Sequence, residues 1–276
     1  VYILIITVMG VVLNVFVLMV FCLHKKSCTV AEIYLSNLAA ADLLLLSCLP
    51  FWAVNIWNGF DWPFGLFLCK AVNLGIKMNA YSSIYILTLV SIDRYVALVH
   101  TMSYGQMRRP KYAKLGCLLM WGLGFLLCIP TIIYRTVEHF PETTACVLDY
   151  SHGDPWKLAH QVLINVVGFL VPFLVILFSS VNILRSLSER RESSGFRDIN
   201  DRKATMLVYA VTLVFLLCWG PFQVVVFLDI LSDAEVLDEA KWYPALNIAA
   251  QVSVYLAFLN SALNPLLYVF SGQYFQ

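Results

Sequence analysis

Seven long apolar blocks, separated by shorter polar segments, dominate the pattern of hydrophobic and polar positions along the chain. Each block is long enough for an α-helix to cross the hydrocarbon core of a bilayer, which takes about 20 residues. The pattern therefore predicts an all-α membrane protein, a single domain that forms a seven-helix transmembrane bundle. The blocks cover approximately residues 1–23, 30–57, 66–99, 113–134, 157–187, 203–230 and 243–270.

The third block carries polar side chains at several depths. As one helix, the stretch from Cys69 to Arg94 would be about 37 Å long, which exceeds the roughly 30 Å of the bilayer core. Cys69 would then lie outside the membrane, with Lys77 about two turns deeper. Asn79 and Ser83 would lie near mid-depth, and Arg94 at the opposite face. We interpret these levels as an anchor, the floor of a ligand site, a polar core and a contact for an effector.

The composition also favours a membrane protein and gives no reason to expect a nucleic-acid partner. Hydrophobic residues make up 61% of the chain and charged residues 13%, with a net charge of +1. A soluble domain carries about 25% charged residues. Because the first and last blocks nearly reach the ends of the sequence, we expect no cleavable signal peptide and expect terminal tails to lie outside this sequence.

The distribution of Lys and Arg predicts the orientation of the bundle. Thirteen of these residues lie at the loop ends on one side and five on the other. Cytoplasmic loops carry the excess of positive charge, so the amino terminus is expected outside and the carboxyl terminus in the cytoplasm. On the cytoplasmic side, the charged segment 188–203 predicts a flexible connection between helix extensions. The larger set is Lys25, Lys26, Arg94, Arg108, Arg109, Lys111, Lys114, Arg185, Arg190, Arg191, Arg197, Arg202 and Lys203.

The outer side carries ten carboxylates, and two interpretations of them remain open. They either keep the loops soluble or form a funnel that attracts a cationic ligand. The ten are Asp61, Glu138, Glu142, Asp149, Asp154, Asp229, Asp233, Glu235, Asp238 and Glu239.

A polar cluster is expected inside the bundle around Asp42, because a charge within the bilayer is costly and is usually functional. Asn79 and Ser83 are four residues apart and share one helix face. They are joined by Asn14 in the first block and by Asn260, Ser261 and Asn264 in the seventh. The cluster is either a cation site, with sodium as the candidate ion, or a purely structural hydrogen-bond network.

One ordered set of motifs runs along the chain: Asn14, LAAAD ending at Asp42, Cys69, DRY at 93–95, Trp121, Pro172, CWGP at 218–221 and NPLLY at 264–268. This set resembles the rhodopsin-like class of G-protein-coupled receptors. The resemblance implies a receptor in the plasma membrane, surrounded by lipid and coupled to a heterotrimeric G protein. It also implies a disulfide between Cys69 and Cys146.

The resemblance implies a role in activation for several of these residues. Asp93 would pair with Arg94 at rest, next to Tyr95, and Arg94 would meet the G protein on activation. Trp219 lies at the Pro221 kink, with Phe215 as its ring partner one turn earlier. The matching switch in the seventh block is Asn264, Pro265 and Tyr268, and Ser180 stands where many family members carry a tyrosine.

The string HKKSCTVAEIYL at 24–35 resembles the kinin receptors and is specific to that group. The resemblance implies a short cationic kinin peptide as ligand and signalling through a Gq-type protein and calcium. With a lysine at position 77, the chain resembles the subtype that prefers peptides without their final arginine. A cation at this position favours a nearby peptide carboxylate and disfavours a terminal arginine. IWN at 56–58 and WPFG at 62–65 favour the same subtype, whereas HKKSCTVAEIYL and TMS at 101–103 favour the other.

The same resemblance supplies candidate ligand contacts. Asp229 would hold the amino-terminal arginine of the peptide, and Asn247 stands where a second carboxylate is usual. Further candidates for the pocket wall are Trp52, Asn73, Arg135, His160, Phe222, Gln251 and Tyr255.

Several alternatives remain at this stage. The ligand could be full-length bradykinin-like peptide or another peptide of angiotensin or chemokine type. A seven-helix ion transporter with Asp42 on its pathway is the candidate from a different class. An enzyme is disfavoured, because the blocks show no paired carboxylates, no zinc motif and no nucleophile with an adjacent base.

Overall fold

The computed structural model describes residues 1–23, 28–99, 110–149, 156–189, 196–234, 236–237 and 239–270. Within these residues, seven helices are long and apolar enough to cross a membrane. The predicted all-α, seven-helix architecture is therefore confirmed. The helices are α1 (Tyr2–Leu23), α2 (Val30–Trp57), α3 (Gly65–Val99), α4 (Pro110–Tyr134), α5 (Trp156–Asn165, Val166–Leu170 and Val171–Glu189), α6 (Phe196–Asp233) and α7 (Glu239–Phe270).

The start of α2 shows how local sequence sets a helix boundary. Thr29 precedes the helix, and its Oγ1 accepts from the backbone N–H of Glu32 at 3.3 Å. The Glu32 carboxylate accepts in turn from the Thr29 N–H at 2.8 Å. This capping box satisfies two amides that the helix itself leaves without a partner.

The helix α6 begins earlier than its apolar block. Residues 196–203, which the sequence pattern assigns to a flexible connection, are helical. Once the apolar part of α6 has nucleated a helix, each further residue adds a hydrogen bond at low cost, so polar residues can extend it. The prediction was therefore wrong for this part of segment 188–203.

The helix α3 lies at the centre of the bundle. It packs against α2, α4, α5 and α6, and its outer half also contacts the loop hairpin that follows α4. Buried residues occur along most of its length, including Asn79, Ser82 and Ser83. A helix buried on all sides can carry polar groups that meet partners on several neighbours, which makes α3 the element that positions most of the candidate site.

The helix α5 contains one π-helical turn, Val166–Leu170. The Tyr85 hydroxyl of α3 donates to the Val167 carbonyl at 2.6 Å. Gly168 faces the ring of Tyr81 so closely that a Cβ atom there would lie 2.7 Å from Cε1. The turn thus brings the α5 backbone against α3 at a point where no larger residue fits without rearrangement.

A β-hairpin follows α4 and covers the outer end of the bundle. Its strands β1 (Arg135–His139) and β2 (Thr144–Leu148) pair antiparallel, with Arg135 opposite Leu148 and His139 opposite Thr144. The sequence analysis predicts no strand here. Two five-residue strands are too short to give a periodic signal that separates them from loop.

Candidate functional site

A disulfide joins the hairpin to the outer end of α3. Cys69 and Cys146 are bonded, with their Cα atoms 5.7 Å apart, which confirms the pairing that the family resemblance implied. The Arg135 Nη1 donates to the Cys146 carbonyl at 3.1 Å. The Asn73 Nδ2 lies 3.4 Å from Cys146 Sγ. The hairpin is thereby fixed as a roof over the helices below it.

Beneath this roof lies a cavity of about 190 Å³ between α2, α3, α6 and α7. Five of the candidate ligand contacts line it together: Trp52, Asn73, Lys77, Arg135 and Phe222. The remaining wall consists of Ile76, Ala80, Tyr81, Trp219, Gln223, Val254, Ala257 and Phe258.

The cavity has a strong bias of charge. Lys77 and Arg135 are its charged lining residues, and no described lining residue is acidic. Lys77 reaches the cavity because Cys69, Asn73 and Lys77 follow one another at intervals of four and so share one face of α3. A cavity with two cations and largely apolar walls is suited to bind an anionic group such as a carboxylate.

Two other candidates lie at the outer edge, outside this lining. Asp229 is exposed near the end of α6, one turn before Asp233. The ring of His160, on α5, lies 6.4 Å from the ring of Tyr134 at the end of α4. Both residues lie towards the outer end of the bundle, and neither lines the cavity.

The candidates on α7 also lie outside the cavity. Gln251 is exposed, and its Nε2 donates to Asn247 Oδ1 at 3.4 Å. Tyr255 contacts α1, because its carbonyl accepts from the Tyr2 hydroxyl at 3.0 Å and the two rings lie 5.7 Å apart. The rotation of α7 about its axis turns these residues away from Lys77 and brings Val254, Ala257 and Phe258 to the wall instead.

The sequence analysis missed Gln223, which lines the cavity between Phe222 and the outer part of α6. Its Oε1 accepts from Asn165 Nδ2 of α5 at 3.4 Å. A signal was present, because Gln223 follows Trp219 by four residues and so lies on the same helix face.

The polar cluster around Asp42 is assembled from four helices: α2 carries Asp42, α3 and α7 donate to its carboxylate, and α1 donates to a backbone carbonyl of α7. Asp42 Oδ1 accepts from Ser261 Oγ at 2.9 Å and from Asn79 Nδ2 at 3.2 Å. Asp42 Oδ2 accepts from Asn264 Nδ2 at 2.9 Å. Asn260 Nδ2 lies 3.4 Å from Asn264 Oδ1. The carboxylate is fully buried, and these donors compensate for its removal from water.

Three buried oxygens in this region have no hydrogen-bond partner among the described residues: Asn14 Oδ1, Asn79 Oδ1 and Ser83 Oγ. Asn79 and Ser83 belong to the α3 face that was predicted to meet Asp42. Asn14 joins from α1, where its Nδ2 donates to the Ser261 carbonyl at 2.8 Å. Carbonyl, hydroxyl and carboxylate oxygens are the ligands that a small hard cation prefers, so the cluster fits a sodium ion chemically.

The ring of Trp219 links the cavity to the centre of α6. It stacks on Phe215 at 6.3 Å and meets Phe222 edge-on at 6.0 Å between ring centroids. Pro221 lies inside the same helix, and Pro265 inside α7. A ligand that moves Trp219 would therefore displace rings above and below it.

At the other end of α3, Arg94 is buried and paired with its neighbour. Its Nη2 lies 3.1 Å from Asp93 Oδ2. A small cavity of about 30 Å³ beside it is lined from α6 by Leu207, Val208 and Val211. The helix α6 thus lies close to Arg94.

Two tyrosines complete this end of the bundle. The Tyr95 ring lies 5.9 Å from the ring of Phe178 on α5. The Tyr209 hydroxyl of α6 donates to the Ser180 carbonyl of α5 at 3.1 Å. Position 180, where many family members carry a tyrosine, therefore takes part in a contact between helices through its backbone. Tyr268 is helical, but its side chain lies outside the part of the chain that the structure describes.

Comparison with known proteins gives a consistent result over nearly the whole chain. A model of the 7 transmembrane receptor (rhodopsin family) matches residues 13–268. The B2 bradykinin receptor of Oryctolagus cuniculus is 51% identical over 268 residues, which cover 95% of this chain and 72% of the relative. The human B2 bradykinin receptor is 48% identical, with coverage of 95% and 68%. The human B1 bradykinin receptor is 41% identical over 271 residues, with coverage of 97% and 76%.

Proposed function

Because the chain belongs to the bradykinin receptors within the rhodopsin family of seven-transmembrane receptors, we propose that it binds a short cationic kinin peptide and signals through a heterotrimeric G protein. The family makes the chain a multi-pass protein of the plasma membrane and a receptor, not an enzyme. The proposal concerns the ligand, the end of the ligand that enters the cavity and the type of G protein.

The single observation that carries the proposal is the pair of cations in a cavity without acidic lining. Lys77 and Arg135 line the same cavity beneath the hairpin roof. Within a partly dry cavity, a carboxylate gains more from two cations than it would in water. An unmodified peptide carries a carboxylate at its carboxyl terminus, so we expect that end to enter the cavity.

The rim favours the opposite end of the peptide. Asp229 and Asp233 lie one turn apart at the outer end of α6, and Asp229 is exposed. Carboxylates at a cavity mouth attract a cation and raise the rate of encounter. A peptide with an amino-terminal arginine and a free carboxyl terminus therefore matches both Asp229 at the outer end of α6 and the two cations that line the cavity.

The position of Lys77 supports a preference for kinin that has lost its final arginine. The carboxylate freed by loss of the arginine would lie closer to Lys77, whereas a terminal arginine would bring a guanidinium to the two cations. Identity over the whole chain is higher to the two B2 receptors than to the B1 receptor compared above. Selectivity among peptides, however, depends on the few residues that contact the terminus.

Competition binding of full-length against des-arginine kinin tests the proposal. Lys77→Ser should lower the preference for des-arginine peptide by roughly tenfold, equivalent to about 1.4 kcal/mol. Lys70→Ser is the matched control, because Lys70 lies on the same helix and does not line the cavity. An unchanged ratio in Lys77→Ser would remove Lys77 from peptide selectivity.

We also propose that the receptor acts through a Gq-type protein and calcium. This proposal rests on the family resemblance and is tested by peptide-induced calcium release in cells with and without Gq-type subunits.

We further propose that sodium binds at Asp42 as an allosteric modulator. The support comes from Asn79 Oδ1 and Ser83 Oγ, which have no hydrogen-bond partner among the described residues. Bound there, sodium would supply a positive charge to the buried carboxylate.

A further inference from the structure

The first outer loop, residues 58–64, is hydrogen-bonded to the hairpin next to its turn. Asp61 Oδ1 accepts from the Thr144 backbone N–H at 2.7 Å. The neighbouring Trp62 backbone N–H donates to the Thr144 carbonyl at 2.6 Å. Both backbone groups of one hairpin residue are therefore bound by two consecutive residues of another loop.

This loop is itself a firm support. Gly59 and Phe60 both have positive φ, at 65° and 68°, and the Phe60 N–H donates to the Asn55 carbonyl at 2.8 Å. The Trp62 ring is 2% exposed and packs in one cluster with Cys48, Cys69 and Val72. The turn and the buried ring hold Asp61 in place relative to α2 and α3.

The hairpin connects the contact at Thr144 with Arg135, which lines the cavity. Thr144 pairs with His139 at the far end of the hairpin, and Arg135 lies at the near end, four residues away along β1. The hairpin is also held by the disulfide at Cys146 and by its direct chain connection to α4 at Arg135. The attachment at Thr144 adds a restraint at the far end, which limits the tilt of the hairpin and with it the position of Arg135 relative to Lys77.

We propose that Asp61 is a positioning residue for recognition of the peptide carboxylate, because its bond to Thr144 sets the angle of the hairpin that brings Arg135 to the cavity. This inference rests on the proposed function, in which Lys77 and Arg135 bind that carboxylate. Asp61 acts here as a hydrogen-bond acceptor and does not contact the peptide.

The test compares des-arginine kinin with a free carboxyl terminus and the same peptide with an amidated terminus, bound to membranes that contain the receptor. Asp61→Ala should lower the ratio of acid to amide affinity by roughly tenfold and leave the affinity for the amide nearly unchanged. Asp61→Asn should retain the ratio, because its amide oxygen can still accept from the Thr144 N–H. Glu142→Ala, which removes an exposed carboxylate from the hairpin turn, is the matched control and should also retain it.

The outcomes separate this inference from the proposed function. If the unchanged receptor does not distinguish acid from amide, the carboxylate contact is wrong and Asp61 has nothing to position. If Arg135→Gln abolishes the distinction but Asp61→Ala does not, the contact stands and the inference about Asp61 is overturned. If Asp61→Asn behaves like Asp61→Ala, the charge acts directly and the positioning role is also overturned.

A further variant covers the case in which Asp61→Ala does not reach the membrane. Asp61→Glu keeps the charge but moves the acceptor by one methylene group. The acid-to-amide ratio should then fall although the charge is intact. A ratio equal to that of the unchanged receptor would contradict the role proposed for Asp61.

Discussion

At the scale of single residues, the outer half of the molecule separates its charges. Asp229 is exposed near the outer end of α6, whereas Lys77 of α3 and Arg135 of the hairpin line the cavity. A peptide with opposite charges at its two ends would be oriented by this separation before it makes close contacts, because both ends experience a favourable field in one orientation only.

Asp229→Asn should raise the half-maximal concentration of a cationic kinin several-fold. The change removes the rim charge and leaves the shape of the side chain, so it reports the electrostatic contribution. Because Asp229 is exposed, its interaction is screened by salt, and the effect should be smaller at 0.5 M than at 0.05 M salt. Peptide-induced calcium release in cells gives the dose response, and peptide binding to membranes gives the dependence on salt.

A peptide that lacks its amino-terminal arginine is the control for this change. It should bind the Asp229→Asn variant and the unchanged receptor equally, because the partner of Asp229 is absent in both cases. An equal loss for both peptides would show that Asp229 affects the site without contacting the arginine.

Sequence reasoning located the residues of this site in α2 and α3 but not in α7. Asn73 and Lys77 follow Cys69 at intervals of four, so once one of them is known to face the cavity the others follow. Gln251 and Tyr255 were expected at the wall and lie elsewhere. Their position depends on how far α7 is rotated against α1, and that rotation is decided by packing between helices, not by the sequence of α7 alone.

At the scale of elements, the π-helical turn of α5 depends on a close approach to α3. Gly168→Ala should destabilise the receptor, because the new Cβ would lie 2.7 Å from Tyr81 Cε1. Overpacking of this kind costs about 1–3 kcal/mol. The melting temperature of the purified receptor should fall by several degrees.

Gly122→Ala is the matched control for this change, since a Cβ at Gly122 meets nothing within 4 Å. It should leave the melting temperature unchanged or raise it slightly, because alanine favours a helix more than glycine does. Equal melting temperatures for the two variants would mean that the Tyr81 ring moves aside at no cost.

The helices α5 and α6 also contact each other near the end of the bundle where Arg94 lies. The Tyr209 hydroxyl bonds the Ser180 carbonyl, and this bond joins α6 to α5 while Arg94 remains paired with Asp93. Tyr209→Phe should raise basal nucleotide exchange on the G protein about two- to fivefold, because a resting contact of about 1 kcal/mol is lost. Exchange measured without peptide, normalised to receptor number, checks this.

The control for Tyr209 is Tyr112→Phe, which removes a hydroxyl from an exposed residue of α4. It should leave basal exchange unchanged. Lower exchange in Tyr209→Phe would indicate that the hydroxyl serves the active arrangement instead.

The sequence predicted some elements better than others, for physical reasons. The apolar blocks indicated the seven helices, because an α-helix satisfies its backbone hydrogen bonds within one continuous apolar segment of a bilayer. The π-helical turn is invisible in VVGFL at 166–170, since it differs from an α-helix by one shifted hydrogen bond. The hairpin depends on a disulfide between residues 77 positions apart and on Asp61, neither of which alters the local pattern of β1 or β2.

At the scale of the whole molecule, the polar cluster lies between the two functional ends. Asp42 is bonded to Asn79 on α3 and to Ser261 and Asn264 on α7, so three helices meet at one carboxylate. Any ion that binds there with different affinity in the resting and active arrangements must shift the balance between them. The same coupling must alter the affinity for the peptide, because linkage between two sites is reciprocal.

Asp42→Asn should therefore abolish the effect of sodium on agonist affinity. Sodium that stabilises the resting arrangement lowers the affinity of an agonist, and the amide variant has no charge to hold the ion. Agonist binding should be measured at constant ionic strength, with sodium replaced by choline, in membranes that carry the unchanged receptor or the variant. The unchanged receptor should bind agonist several-fold more weakly in sodium, and the variant equally in both salts.

Ser82→Ala provides the comparison within the same helix, because Ser82 is a buried hydroxyl of α3 that has no hydrogen bond to Asp42 among the described residues. It should keep the sodium effect, whereas Ser83→Ala should weaken it if Ser83 Oγ is a ligand. A sodium effect that persists in Asp42→Asn would assign the cluster a structural role. The three donors to Asp42 would then serve to hold α2, α3 and α7 in register, and the melting temperature, not the response to salt, would be the property that the variant changes.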